Sequence, residues 1–298
     1  MSIEELNEKF GTPGQVEFSQ GKGGLPVILI ANKHATSLIS LYGAHVLSYQ
    51  PNDKKDVLWM SEKSTFEEGK AIRGGIPICF PWFGPHVTDS LLPQHGFARL
   101  IIWEVFEVLT LENGATKIQL QLHHSPVTKA YWPSEFSARL TVTVGVKLEA
   151  SLSVTNTGEE TFTYSDALHT YFNVSNINDI NIDGLRSASY YEGTASELRR
   201  QEEPLLQIVK EENRRYVGSV SDCVIYDKGY LRKIRVSKTG SKVTVVWNPG
   251  ETNAKNIADI GGDGYKNFVC VEAVNAYDDV VTLASGEQFT MSTTIVVE

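Results

Sequence analysis

Two side chains break the apolar pattern of this chain in a way that acid–base chemistry would exploit. His169 sits in SDALHTYFNV (165–174), a strand-like run in which it alternates with Ala167 and Tyr171 while Leu168, Thr170 and Phe172 take the other face. Glu272 sits in NFVCVEAVNA (267–276), on a face shared with Phe268, Cys270 and Val274. A histidine in a half-buried strand is either a packing residue or a proton carrier. A carboxylate in an apolar strand costs several kcal/mol or becomes neutral unless it is paired, so it is either structurally bonded or chemically used.

A third irregular region is RGGIPICFPWFGPHVTDSLLPQHGFARL (73–100). Prolines at 77, 81, 85 and 93 and glycines at 74, 75, 84 and 96 read as a long, stiffened loop rather than a strand. Arg73, Gln94, His95 and Arg99 project from it, and ordered loops on a rigid scaffold commonly carry binding groups. The bland alternative is a loop that merely caps the end of a sheet. Trp82 and Trp247 each offer an aromatic face to a ligand or pack in the core; the residues alone leave this open.

The elements that must position these groups are strands. KIQLQLH (117–123), FSARLTVTV (136–144) and VKLEASLSVT (146–155) alternate strictly, and the last two flank Gly145 as an antiparallel hairpin with one wet face. Helical signals are confined to SIEELNEKF at the start and ETNAKNIAD (251–259) after the NPG turn. With no linker, low-complexity tract or internal repeat, residues 1–298 read as one all-β domain, a large antiparallel β-sandwich with a few short helices.

Composition removes several classes of function. The chain is 298 residues long, with 27 basic and 36 acidic residues and a net charge of −9. That balance argues against a nucleic-acid or anionic-membrane binder, though not against one small anion site built from two or three arginines. Three scattered cysteines (79, 223, 270) fit a reducing compartment, and the charged N-terminus carries no signal-like apolar run, so a cytoplasmic address is expected. The seven histidines form no H-x-H, H-E-x-x-H or Cys/His cluster, so no metal site is expected. P-loop, G-x-S-x-G and dinucleotide signatures are also missing.

In order along the chain, RGGIPICFPWFG, LPQHGFAR, DALHTYFNV, SDCVIYD, VVWNP and VCVEAVNA resemble the hexose-phosphate branch of the aldose 1-epimerase (galactose mutarotase-like) superfamily. Two departures separate the chain from free-sugar mutarotases. Leu168 stands where they carry Asn, and their early Gly-Arg-x-x-Asn-Arg motif gives way to the RGGIP loop. The resemblance implies a β-supersandwich and a cofactor-free isomerase that interconverts the α and β anomers of glucose 6-phosphate or related aldohexose 6-phosphates. It also implies catalytic roles for His169 and Glu272 and substrate contacts from Arg73, Gln94, Arg99 and Asp222, with His95 a further sugar contact. The expected division of labour has ionised Glu272 taking the anomeric proton. His169, kept charged by Asp166 or Glu272, protonates the ring oxygen, and Arg73 with Arg99 grips the phosphate. A free-aldose mutarotase and a non-catalytic sugar-phosphate binder stand as alternatives. The expected partner is a small phosphosugar, and no protein partner is indicated.

Overall fold

Residues 1–298 are described by a computed structural model. Alternation decides the architecture. Phe136–Val144 pairs with Leu148–Asn156 in antiparallel register from Val144↔Leu148 to Phe136↔Asn156, and both strands alternate strictly between buried and half-exposed positions. They belong to an eight-stranded sheet that runs from Ile180–Asp183 at one edge to Glu104–Thr110 at the other. This is the back sheet.

A second eight-stranded sheet carries the irregular residues. Its order is Arg199–Arg200, Ser189–Glu192, Glu212–Val217, Val243–Asn248, Phe268–Asn275, Asp166–Leu168 and Ile78–Cys79, with Tyr171–Asn173 also pairing to Phe268–Asn275. Every residue of Phe268–Asn275 is buried, so this central strand is covered on both faces. Its Val269, Val271 and Ala273 join the main core shared with the back sheet, including Leu140, Leu152 and Ile295. Cys270, Glu272 and Val274 face the other way. A four-stranded antiparallel sheet (Val16–Gln20 through His45–Pro51) and a short pair, Phe162–Tyr164 with Val281–Leu283, complete the β structure.

The helices are short. Ile3–Phe10 opens with a capping box in which the Ser2 hydroxyl accepts from the Glu5 amide and the Glu5 carboxylate accepts from the Ser2 amide. Gly250–Ala254 lacks a side-chain cap and is shorter than the 251–259 expectation.

The 73–100 segment is mainly the loop its prolines and glycines suggest, with two regular pieces: Ile78–Cys79 pairs with Ala167–Leu168 as the sheet's last strand, and Ala98–Leu100 forms a single 3-10 turn. Glycine is required where this segment threads through the fold. Gly75 has φ +64°, and a Cβ there would lie 2.2 Å from the Val46 carbonyl oxygen. Gly96, at φ +74°, would place a Cβ 2.0 Å from the Phe80 carbonyl oxygen. These tight passages fix the backbone from which Arg73, His95 and Arg99 extend.

Candidate active site

Strand register builds the site in rows. Directly opposed residues share a face. Arg215↔Val245 and Val245↔Glu272 form one row; Asn213↔Trp247, Trp247↔Cys270 and Cys270↔Tyr171 form the next. His169 lies in the break between Asp166–Leu168 and Tyr171–Asn173, where its amide donates to the Pro77 carbonyl at 3.1 Å. The break turns the imidazole toward the neighbouring strand, and its Nδ1 comes within 3.4 Å of Glu272 Oε1. Both groups are buried, at 7% and 1% exposure. Neither His169 Nδ1 nor Glu272 Oε2 has a hydrogen-bond partner, an expensive condition for two interior polar groups.

Aromatic rings and guanidinium groups frame the pair. The His169 ring stacks on Tyr171 (4.9 Å, 8°) and meets Trp247 and His95 edge-on at 6.1 and 5.6 Å. The Tyr171 hydroxyl accepts from Arg73 Nη1 at 2.9 Å, while Arg73 Nε donates to Asp259 at 3.0 Å. Arg99 Nη2 donates to the Gln94 carbonyl at 2.6 Å. His95 Nδ1 accepts from the Gly84 amide at 3.1 Å, which leaves its proton on Nε2 as a donor. The His95 backbone adopts φ +66°, an uncommon conformation for a residue with a Cβ. Trp247 therefore lines the site. Trp82 packs in the core, with its indole N–H donating to the Pro93 carbonyl.

The electrostatics correct one expectation. Burial, followed by the neighbouring His95, Arg99 and Arg73, holds His169 well below the usual histidine range, so the resting imidazole is neutral. Burial pushes Glu272 well above the carboxylate range, so the pair's one proton rests on Glu272. Asp166 gives no support to His169. It pairs with Asn275 across the strands, on the opposite side from Ala167 and His169, and burial raises it to about 7. His95 is pulled down to about 3 by burial and by Arg99 and Arg73, which makes it a fixed neutral donor.

The expected set does not assemble in full. His169, Glu272, Arg73, Arg99 and His95 converge. Gln94 is exposed at the rim, touching the cluster through its backbone carbonyl. Asp222 is elsewhere: it precedes Cys223–Asp227 of the back sheet, is 45% exposed and lies 3.9 Å from Arg235. The site face carries instead Asn213 and Arg215, opposite Trp247 and Val245.

Sequence reasoning also missed Asp259, which orients Arg73, and Cys270. The donor atoms of His169, Cys270 and Glu272 lie within 4.8 Å of one another, a nitrogen–sulfur–oxygen set of a type zinc accepts. Burial holds the Cys270 thiol protonated, which opposes metal binding. Chemically, the arrangement offers one transferable proton between two partnerless groups, with two cations to one side.

Comparison with known proteins identifies the family. The chain is 34% identical over 252 residues to a Salmonella typhimurium protein named "Putative glucose-6-phosphate 1-epimerase", covering 85% of this chain and 84% of that protein. A Cenchrus ciliaris protein of the same name is 35% identical over 273 residues, covering 88% and 82%. Among solved structures, the Salmonella typhimurium "putative mutarotase (YeaD)" superposes with a TM-score of 0.89 at 31% identity, over 96% of this chain and 94% of that one. Galactose 1-epimerase from Lactobacillus acidophilus shares the fold at a TM-score of 0.74 and 12% identity, over 95% and 98%. Residues 26–296 match the family described as aldose 1-epimerase, and the chain belongs to that family, with the galactose mutarotase-like fold and a sugar as its substrate.

Proposed function

We propose that the protein interconverts the α and β anomers of glucose 6-phosphate, or a closely related aldohexose 6-phosphate, with His169 and Glu272 as the acid–base pair. The observation that carries the reading is their 3.4 Å approach in a buried setting beside two arginines. Opening the pyranose takes a proton from the anomeric hydroxyl and gives one to the ring oxygen; closing reverses both. A pair that holds one proton between an oxygen and a nitrogen does this without net proton uptake.

The resting state, with the proton on Glu272, is not the form that abstracts the anomeric proton. Binding of a phosphate dianion at Arg73 and Arg99 offsets the arginine contribution to the His169 shift, which comes after burial and His95. The larger contribution, burial, is relieved when the sugar's ring oxygen and anomeric hydroxyl become hydrogen-bond partners of the two groups; the proton then moves to His169 and Glu272 acts as the carboxylate base. Substrate charge thus assists in preparing the catalyst, which favours a phosphosugar over a free aldose. Arg73, already held by Asp259 and Tyr171, is rigid; Arg99 has a buried Nε with no partner and is the more available phosphate donor. Gln94 and His95 complete the phosphosugar contacts, and the chemistry calls for no cofactor. One cytoplasmic domain, acting with its thiols reduced, is part of the same reading; all three cysteines are free and buried.

The test measures anomer exchange of glucose 6-phosphate and glucose with the wild type and with Arg99→Ala. Loss of a charge-assisted phosphate contact is expected to lower kcat/KM for the phosphosugar by about ten- to a hundredfold. The effect on free glucose is expected to be small. Equal losses on both sugars would remove the phosphate role and favour a free-aldose mutarotase.

A further inference from the structure

The site face has a third guanidinium that this mechanism does not use. Arg215 projects from Glu212–Val217 and is cross-strand partner to Val245, which in turn opposes Glu272. Its guanidinium lies 4.4 Å from the centre of the Tyr277 ring and 5.4 Å from that of Tyr191. One Nη donates to the Ala195 carbonyl at 3.3 Å, and the buried Nε has no partner. Tyr277 reaches back over the face from φ +63° and meets Phe83 edge-on at 6.1 Å; Phe83 in turn meets His95 at 5.0 Å. The wall Arg215–Tyr277–Phe83–His95 therefore closes round to His169.

The order of groups across the sheet is informative. Strand order places Arg215, Val245, Glu272 and His169 in sequence, with Arg73 and Arg99 gathered beyond, around His169 and Tyr171. A hexose 6-phosphate has an order of its own: phosphate, C6, C5, ring oxygen, C1 with its hydroxyl, then C2 with its hydroxyl. Placing the ring oxygen at His169 and the anomeric hydroxyl at Glu272 puts the phosphate toward Arg73 and Arg99. The C2 hydroxyl then points toward Arg215. Two strand spacings, about 10 Å, separate the Arg215 and Glu272 backbones. The short side chain of Val245 leaves the floor between them low enough for a sugar ring.

Resting on the phosphosugar reading above, we propose that Arg215, held over the Tyr277 ring, donates hydrogen bonds to the C2 hydroxyl and so selects sugars by the substituent at C2. A site built to bond a hydroxyl rejects the analogue lacking it far more strongly than an apolar wall would.

The experiment compares glucose 6-phosphate with 2-deoxyglucose 6-phosphate by anomer-exchange kinetics in the wild type, Arg215→Met and Arg215→Lys. Arg215→Met is expected to lower kcat/KM for glucose 6-phosphate by about ten- to a hundredfold, while the 2-deoxy sugar changes by less than about threefold. Arg215→Lys, which keeps the charge and the stem but not the fork, is expected to recover part of the preference. It carries the same comparison if the Met variant does not fold. An equal loss on both sugars, or no loss on either, overturns the proposal. The underlying reading fails differently: a wild type that exchanges glucose but not glucose 6-phosphate sinks the phosphosugar assignment. The Arg215 comparison would then be run on glucose and 2-deoxyglucose.

Discussion

The two large sheets bury polar residues under opposite rules. On the back sheet, Phe136–Val144 and Leu148–Asn156 send every second side chain toward solvent, so apart from the buried Asn156, whose amide donates to the Glu160 and Leu283 carbonyls, their polar residues report only which face is wet. On the site sheet, Phe268–Asn275 is covered on both faces, so Glu272 has no wet side to occupy. A charged residue type retained there, with one oxygen unbonded, opposes stability and calls for another explanation. The difference teaches where to look: alternation is the signature of scaffold, and its violation inside a doubly covered strand is the signature of a site.

Substitutions on the two sheets should therefore fail in different ways. The largest effect is expected at the pair: Glu272→Gln or His169→Asn should reduce catalysed anomer exchange by about 10²–10⁴-fold while the protein melts at or above the wild-type temperature. Glu272→Gln relieves a buried acid, so a large loss of stability without loss of turnover would erase the contrast. On the back sheet, Leu140→Ala should cost about 2–5 kcal/mol in denaturant unfolding and leave kcat nearly unchanged.

The smallest effect sharpens the comparison within the site sheet, at a buried carboxyl that the mechanism does not use. Asp166 has a folded value of about 7, against roughly 3.9 in an unfolded chain. The native state therefore holds a proton that the unfolded chain has already lost between those values. Stability from this group is full below about pH 4 and falls as pH rises toward 7. Asp166→Asn should raise the melting temperature by a few degrees at pH 8 and by less at pH 5. A gain independent of pH would show that Asp166 is not held neutral.

Much of this was legible in the sequence for physical reasons. Period-2 alternation dictated the 136–156 hairpin, and Pro and Gly dictated the long loop, since both act locally. His169 and Glu272 stood out because each violated its own strand. Asp222 did not carry over: whether a residue near a strand end joins one sheet or the other depends on long-range pairing that local pattern does not encode. Arg215 was hidden for a related reason. ENRRYV (212–217) is too polar to look like an interior strand, yet the burial of Tyr216 in the core leaves Asn213, Arg215 and Val217 on the site face. Tyr277 depends on a positive φ in a turn, which no residue pattern announces. The direction of the His169 shift was missed because it arises first from burial by segments distant in the chain, and then from His95, Arg99 and Arg73, which only folding brings beside it.

NMR exchange spectroscopy of glucose 6-phosphate gives the most direct test that an imidazole and a carboxyl share one proton across a sugar. With wild-type protein, cross-peaks between the α and β anomeric signals should grow well above the spontaneous rate, and with Glu272→Gln they should fall back to it. Wild-type exchange no faster than buffer alone, or undiminished exchange in the folded variant, would contradict the account.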